Sequence, residues 1–212
     1  MANNKKFELF EKKLIQRFND KIKNHSFLDP KVVGWDTKKN QYLRFSKALK
    51  NLNFKNKKVL DVGCGVGDFL NFCKTKKIIF DYTGLDINKN FIFFLKKKFK
   101  KCNFLNKSFL KFSTKKKFDH IFFFGIFNLK MEEKNNYQYL FKHIEKAVKM
   151  SKNSVYFDFI VSPGSYKFKS KEIFYYNKNI LLKFLTEKKY DFIYYADNKP
   201  IPQIENSIII LR

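Results

Sequence analysis

Glycine, proline, cysteine and tryptophan are all scarce in this chain of 212 residues, which has seven, four, three and one of them respectively. A hydrophobic content of 44% with 19% aromatic residues predicts a globular protein and not a disordered one. The cysteines, Cys64, Cys73 and Cys102, are odd in number and match no metal-binding spacing. We therefore predict neither a disulfide framework nor a metal site.

Long hydrophobic runs are also lacking. A membrane-spanning helix needs roughly 20 apolar residues, whereas the longest run, around Phe122–Phe127, has the length of a strand. The first residues, MANNKKFELFE, carry charges where a secretory signal needs an apolar stretch. These features predict a cytoplasmic protein without a membrane span, and they leave its oligomeric state open.

Arginine is nearly absent although the formal net charge is +26, since only Arg17, Arg44 and Arg212 among the 45 basic residues are arginine. A strongly positive surface attracts nucleic acid. Proteins that bind nucleic-acid phosphates, however, usually use arginine, because its guanidinium group forms bidentate hydrogen bonds with phosphate. The interpretation we favour is a solvated lysine-rich surface, with nucleic-acid binding as the less favoured alternative.

The order of periodic segments predicts the architecture. Apolar residues recur at helical spacing through Lys5–Lys23 and again through Lys38–Leu52. From Val59 onward, short apolar strands alternate with helical stretches, a pattern typical of a parallel sheet covered by helices on both faces. A helix is expected over Ile173–Glu187. The last two strands flank Ala196–Asn206 and predict an antiparallel hairpin.

The most informative stretch is VLDVGCGVGD, in which a strand runs into Gly63, Gly65 and Gly67 just before a helix. Three of the seven glycines lie within five residues, where they allow a tight turn and a close approach of the backbone to a ligand. The spacing is GxGxG and not the GxGxxG of dinucleotide-binding proteins. An acid, Asp86, ends the next strand and is placed to bind the hydroxyls of a ribose. The simpler interpretation is a glycine-rich turn with Asp86 capping the following helix.

These residues resemble motifs of the class I S-adenosylmethionine-dependent methyltransferases, of the small-molecule type, from about Val59 to the C-terminus. The resemblance implies an α/β fold with a doubly wound, mostly parallel seven-stranded sheet, a C-terminal antiparallel hairpin and N-terminal capping helices. It also implies two parts of one compact domain, with residues 1–52 as the helical cap and residues 53–212 as the domain that binds S-adenosylmethionine. The cofactor-binding residues that it implies are Asp61, Gly63, Cys64, Gly65, Gly67, Asp86, Ile87, Ser108, Phe109, Gly125 and Arg44.

One position departs from the family. The family often has an acid after the third strand, near the adenine amino group, where this chain has Ser108 followed by Phe109. Serine can still accept a hydrogen bond. The departure bears on adenine affinity and not on the fold.

Residues for an acceptor pocket are predicted in three places. The N-terminal segment GWDTKKNQYLRF contains Trp35, Gln41 and Arg44. We expect Trp35 to line the pocket and Arg44 to pair with the carboxylate of the cofactor or with an acidic substrate. The remaining candidates follow the fourth and fifth strands and are Phe127, Asn128 and Tyr166.

The activity implied is methyl transfer to a small-molecule acceptor by in-line displacement, and the acceptor itself is not identified. His25 is the weak candidate for a general base. Two alternatives stay open at this stage. One is an RNA-modifying methyltransferase that uses the lysine-rich surface, and the other is a protein that binds S-adenosylmethionine without catalysis.

Overall fold

A computed structural model describes residues 2–50, 52–131, 133–162, 170–196 and 204–212. A 3-10 helix (Pro30–Val33) lies between the first two α-helices. The helices are α1 (Ala2–Asn24), α2 (Lys38–Leu49), α3 (Asp68–Thr75), α4 (Lys89–Lys98), α5 (Glu133–Met150) and α6 (Lys178–Glu187). The strands are β1 (Lys58–Val62), β2 (Asp81–Asp86), β3 (Asn103–Asn106), β4 (Phe118–Phe123), β5 (Ser151–Ser162), β6 (Asp191–Tyr195) and β7 (Ile204–Leu211).

The strands form one seven-stranded sheet in the order β3-β2-β1-β4-β5-β7-β6. Strand β2 pairs in parallel with β1 and β3, and β4 pairs in parallel with β5. Strand β7 is antiparallel to both of its neighbours, β5 and β6. This arrangement confirms the predicted α/β fold class with its antiparallel C-terminal strands.

The chain divides into two compact units, Met1–Lys115 and Lys116–Arg212. The first contains β1–β3 with α1–α4, so both N-terminal helices belong to the same unit as the glycine-rich turn. The predicted separation of a helical cap at residue 52 stays a prediction.

Aromatic packing holds the first unit together. All of β1 and β2 is buried except the first residue of each strand. Helix α2 packs on α3 through Phe45, whose ring centroid lies 5.3 Å from that of Phe69 and 5.7 Å from that of Phe72. Helix α1 packs on α4 through Phe18 and Phe91, with ring centroids 6.0 Å apart. These contacts bury the apolar stripe that the periodicity of α1 and α2 predicts.

The second unit is built around β4, every residue of which is buried. Helices α5 and α6 stack Phe141 on Phe184 with ring centroids 3.8 Å apart. Among the described residues, none of the helices has the length and apolar character needed to cross a bilayer.

Helix α6 begins later than its sequence predicts. We expected a helix from Ile173, but Ile173 forms an antiparallel bridge with Leu129, and the helix begins only at Lys178. Asn177 caps it, because the Asn177 side chain accepts a hydrogen bond from the amide of Asn179. Pairing with a distant segment therefore overrides the helical periodicity of residues 173–177.

Candidate functional site

The glycine-rich turn after β1 is the centre of the first unit. Gly63, Gly65 and Gly67 have φ angles of 75°, 52° and 79°, in the left-handed region that side chains with a Cβ disfavour. The amides of Gly63 and Cys64 both donate to the carbonyl of Leu85, at 2.7 and 3.1 Å. The turn is therefore fixed to the end of β2, with its backbone lying at the carboxyl edge of the sheet.

Space beside Gly65 is closed on one side by the N-terminal segment. A Cβ added at Gly65 would lie 2.8 Å from Cγ1 of Val33, which belongs to the 3-10 helix. That distance is below any ordinary contact between carbon atoms, so this position needs glycine for space as well as for its backbone angle. Val33 of the N-terminal segment therefore packs directly against the backbone of Gly65.

Asp86 ties this turn to the end of β2. Its Oδ2 accepts from the amide of Gly65 at 2.9 Å, and its Oδ1 accepts from the amide of Asn88 at 2.7 Å. Burial raises the pKa of Asp86 to about 6, although hydrogen bonds from backbone amides, including that of Ile87, act to lower it. A carboxylate offers about four acceptor directions. Asp86 therefore positions the turn and retains capacity to bind a hydroxyl donor.

Two further predicted residues of this turn are buried in the first unit. Asp61 accepts from the hydroxyl of Tyr82 at 2.7 Å, and burial raises its pKa to about 7. The hydrogen bond from Tyr82 lowers the pKa of Asp61, whereas the charges of Asp86 and Asp68 raise it further. The thiol of Cys64 is buried, and this burial raises its pKa well above the usual value. The hydrogen bond between Asp61 and Tyr82 therefore links β1 to β2 just before the turn.

Helix α2 carries Gln41 and Arg44, two of the predicted site residues, and belongs to the first unit. Gln41, only 2% exposed, donates through Nε2 to Oδ2 of Asp68 at 3.1 Å. Its other amide atom, Oε1, is buried and has no hydrogen-bond partner. Arg44 is 8% exposed, and its Cζ lies 5.0 Å from the ring centroid of Trp35, a cation–π contact. Helix α2 therefore carries a buried acceptor, Oε1 of Gln41, and a buried cation, Arg44. The hydrogen bond from Gln41 to Asp68 links this helix to the residue that follows Gly67.

Ser108 has a partner that sequence reasoning missed. Its hydroxyl donates to Oε1 of Glu11, on α1, at 2.7 Å, and Glu11 is only 8% exposed. Phe109, the next residue, is buried. A signal was present, because Glu11 lies four residues after Phe7 and three before Leu14, on the apolar stripe of α1. A carboxylate on such a stripe needs a hydrogen-bonding partner.

His25 lies between α1 and the 3-10 helix. Its Nδ1 is 3.3 Å from Oδ2 of Asp29, and both side chains are about one third exposed. The contact gives the imidazole a carboxylate partner, and its role as a general base stays a prediction.

In the second unit the predicted residues Gly125, Phe127 and Asn128 lie in the segment after β4. Gly125 has a φ of 69°, and its amide donates to Oδ1 of Asp158 at 2.7 Å. Phe127 is 2% exposed and packs on His143, with ring centroids 5.5 Å apart. The side chain of Asn128 accepts from the amide of Ile160 at 3.2 Å. Phe127 and Asn128 are thus both held by contacts within this unit, and their place in an acceptor pocket stays a prediction. Tyr166 lies outside the described residues.

Asp158 is a second residue that sequence reasoning missed, and we expect it to matter for stability. Replacing Asp158 with alanine leaves the amide of Gly125 without its carboxylate acceptor, a loss of about 1–3 kcal/mol. Thermal unfolding of Asp158→Ala should therefore show a lower midpoint than wild type. Asp191→Ala, at an exposed position on β6, is the matched control and should unfold like wild type. Equal midpoints for all three proteins would contradict this role for Asp158.

Sequence and structure comparisons show which known proteins the chain is similar to. A family model for a methyltransferase domain matches residues 60–151. No curated protein matches the sequence significantly. Among solved structures, magnesium protoporphyrin IX methyltransferase from Synechocystis PCC 6803, with bound S-adenosylhomocysteine, is 11% identical with a TM-score of 0.62, over 82% of each chain.

Two further structures share the fold. A SAM-dependent methyltransferase from Archaeoglobus fulgidus is 16% identical with a TM-score of 0.61, over 83% of this chain and 95% of that one. A chain of an RNA repair complex is 14% identical with a TM-score of 0.58, over 80% of this chain and 41% of that one. The family model covers less than half of the chain, and the solved structures are all under 25% identical to it. Together with the strand order, they show that the chain has the fold of S-adenosylmethionine-dependent methyltransferases.

Proposed function

We propose that the protein transfers the methyl group of S-adenosylmethionine to a small-molecule acceptor by in-line displacement. The observation that carries the proposal is the hydrogen bond between Asp86 and the amide of Gly65. It joins a turn of left-handed glycines to a carboxylate with unused acceptor capacity, both at the carboxyl ends of neighbouring parallel strands. Ligands of open α/β sheets bind at that edge.

The polar groups of the first unit fit the cofactor. The hydroxyls of a ribose suit the carboxylate of Asp86. The buried Oε1 of Gln41 lacks a donor, and the amino group of the methionyl part can supply one. The guanidinium of Arg44, stacked on Trp35, suits the cofactor carboxylate, since arginine binds carboxylates through two parallel hydrogen bonds. The glycine-rich turn completes this set, because Gly63, Gly65 and Gly67 have no side chain between the backbone and a ligand.

Bound S-adenosylmethionine supplies a methyl group already activated by the sulfonium. The chain has to bind the cofactor and the acceptor, orient them and exclude water from between them. Good orientation of the reactants alone can lower the reaction barrier by about 7–11 kcal/mol. Left-handed glycines held by Asp86 and Leu85 make the turn rigid before the ligand binds. A general base is needed only where the acceptor does not ionise by itself. His25 remains the candidate for that role.

A small-molecule acceptor is favoured over RNA because the positive surface is almost entirely lysine. The structural likeness to a chain of an RNA repair complex keeps RNA as the second candidate. The test uses S-adenosylmethionine with a labelled methyl group, the purified protein and a cell extract separated into small molecules, RNA and protein. We expect label in the small-molecule fraction with the wild type and none with Asp86→Ala. Label confined to RNA would replace the proposed acceptor class.

Arg44 provides a sharper test of the cofactor assignment. Arg44→Lys retains the charge but loses the planar fork, so we expect about tenfold weaker binding of S-adenosylmethionine, or ~1.4 kcal/mol. Arg212→Lys, at an exposed position, is the control and should bind like wild type. Calorimetric titration measures both. Unchanged affinity in Arg44→Lys would remove Arg44 from the cofactor site.

A further inference from the structure

Lysine is concentrated in the three segments that lead into strands β1, β2 and β3. Half of the residues in 53–58, 74–81 and 96–103 are lysine, whereas lysine makes up about one fifth of the whole chain. Asp81 is the one acid in these segments, and the sequence has no arginine there. A general excess of lysine in the chain would spread over its whole surface. The concentration in these segments therefore calls for an explanation of its own.

The structure brings the three segments to one edge of the first unit. Because β1, β2 and β3 are parallel neighbours, their amino ends meet at the same edge of the sheet. The amide of Asp81 donates to the carbonyl of Lys57 at 2.8 Å, which joins the first two segments. Lys74 and Lys98, at the ends of α3 and α4, both have their Nζ over the ring of Phe99, 4.5 and 5.2 Å from its centroid. Residues 53–58, 74–81 and 96–103 thus form one surface, the basic edge.

Two large apolar side chains are exposed at the basic edge. Ile79, in the segment before β2, is 83% exposed, and Phe93 on α4 is 64% exposed. Phe93 adjoins the lysines, since Nζ of Lys97 lies 4.2 Å from the centroid of its ring. An aliphatic side chain such as Ile79 neither binds phosphate nor stacks on a base as an aromatic ring does. It does gain free energy when it leaves water for hydrocarbon.

We propose that the basic edge binds the surface of an anionic lipid bilayer, with Ile79 inserted among the headgroups and Phe93 beside it. Lysine suits this partner, because attraction to an anionic membrane depends on the charge near its surface and is worth about fivefold in affinity per basic residue. Apolar side chains flanked by lysines are typical of surfaces that lie in the membrane interface. RNA is the less suitable polyanion, because it favours arginine, which the basic edge lacks.

The basic edge and the glycine-rich turn lie at opposite ends of β1. That strand has five residues, which separates the two by about 17 Å at roughly 3.3 Å per residue. A bilayer on the basic edge therefore leaves the turn and Asp86 uncovered. The proposed binding of S-adenosylmethionine and the binding of a membrane use different surfaces of the first unit.

The experiment measures co-sedimentation of the full chain with phosphatidylcholine vesicles that contain about 30% phosphatidylserine, at a salt concentration of about 0.15 M. A chain with a net charge of +26 is attracted to any anionic surface, so matched variants have to locate the binding. The first variant neutralises three exposed lysines of the basic edge, by Lys76→Gln, Lys100→Gln and Lys101→Gln. We expect it to bind about 100-fold more weakly than wild type. The control removes the same charge from exposed positions on α1, by Lys5→Gln, Lys12→Gln and Lys13→Gln, and should lose a few-fold at most.

The contribution of Ile79 is measured with the same vesicles. Ile79→Asn should bind about tenfold more weakly, because it can no longer bury an apolar side chain in the membrane interface. Leu9→Asn, at a position on α1 that is 57% exposed, is the control and should bind like wild type. Thermal unfolding of each variant verifies that it is folded.

Three results would overturn the proposal. The first is absence of vesicle binding by wild type, and the second is an equal loss of binding in the two triple variants. The third is wild-type binding by Ile79→Asn, which would leave only unspecific attraction between charges. A parallel titration with a labelled single-stranded RNA identifies the other polyanion. RNA binding that the basic-edge variant alone weakens, with equal vesicle binding by all the proteins, would assign the surface to nucleic acid. The test measures no methyl transfer, so its outcome is independent of the proposed function.

Discussion

Asp86→Ala is expected to weaken binding of S-adenosylmethionine by about 100-fold, or ~2.7 kcal/mol. The substitution removes the acceptor that we propose for the ribose hydroxyls, and also the carboxylate that holds the amide of Gly65 at 2.9 Å. Each hydrogen bond to a charged group contributes about 1.5–3 kcal/mol. Calorimetric titration of wild type and variant under one set of conditions measures the difference.

The control for this prediction is Asp81→Ala, which removes an exposed carboxylate from the opposite end of the same strand. It should bind like wild type. Because Asp86→Ala also strips two buried amides of their acceptor, Asp86→Asn is measured beside it, since asparagine keeps one acceptor oxygen. A folded Asp86→Ala protein with wild-type affinity would refute the placement of the ribose.

The pH dependence of stability should change when Asp61 is replaced by asparagine. Burial raises the pKa of Asp61 from 3.8 to about 7 in the folded protein. Between those two values the folded chain holds a proton that the unfolded chain does not, so the free energy of unfolding falls as pH rises from about 4 to about 7. Each pKa unit corresponds to about 1.4 kcal/mol, so a shift of about three units makes the expected loss roughly 4 kcal/mol.

Asp61→Asn has no such proton to lose, and its amide oxygen can still accept from the hydroxyl of Tyr82. The variant should therefore be more stable than wild type by roughly that amount at pH 8, with the gap closing toward pH 4. Other groups titrate in both proteins. Burial raises the pKa of Asp86 to about 6 and lowers that of His143 to about 3, with opposite effects on stability.

The difference between wild type and Asp61→Asn cancels those shared contributions. Urea unfolding of both proteins at a series of pH values gives that difference directly. Curves that run parallel across the whole range would contradict the burial of an uncharged Asp61 carboxyl at neutral pH.

Much of the fold and the glycine-rich turn of the candidate site could be predicted from local sequence patterns. The turn with Gly63, Gly65 and Gly67 is contiguous in sequence, so its strand, left-handed angles and following helix could be predicted from neighbouring residues alone. The fold class could also be predicted, because alternating strands and helices can adopt few topologies, and the observed strand order confirms it.

The partners of residues that form distant contacts could not be predicted from the sequence. Glu11 reaches Ser108 across 97 positions, and Asp158 reaches Gly125 across 33. Glu11 lies on the apolar stripe of α1 and Asp158 in an apolar strand, and no neighbouring residue indicates which partner either of them has. The late start of α6 has the same origin, because Ile173 pairs with Leu129 instead of joining the helix.

The central claim is that the first unit binds S-adenosylmethionine through the glycine-rich turn and Asp86. Its most direct test is calorimetric titration of the purified wild-type chain with S-adenosylmethionine. We predict saturable binding of one molecule per chain with a Kd of about 1 μM, or roughly −8 kcal/mol. No binding up to about 1 mM ligand, a limit of roughly −4 kcal/mol, would contradict the claim and leave a methyltransferase fold without its cofactor.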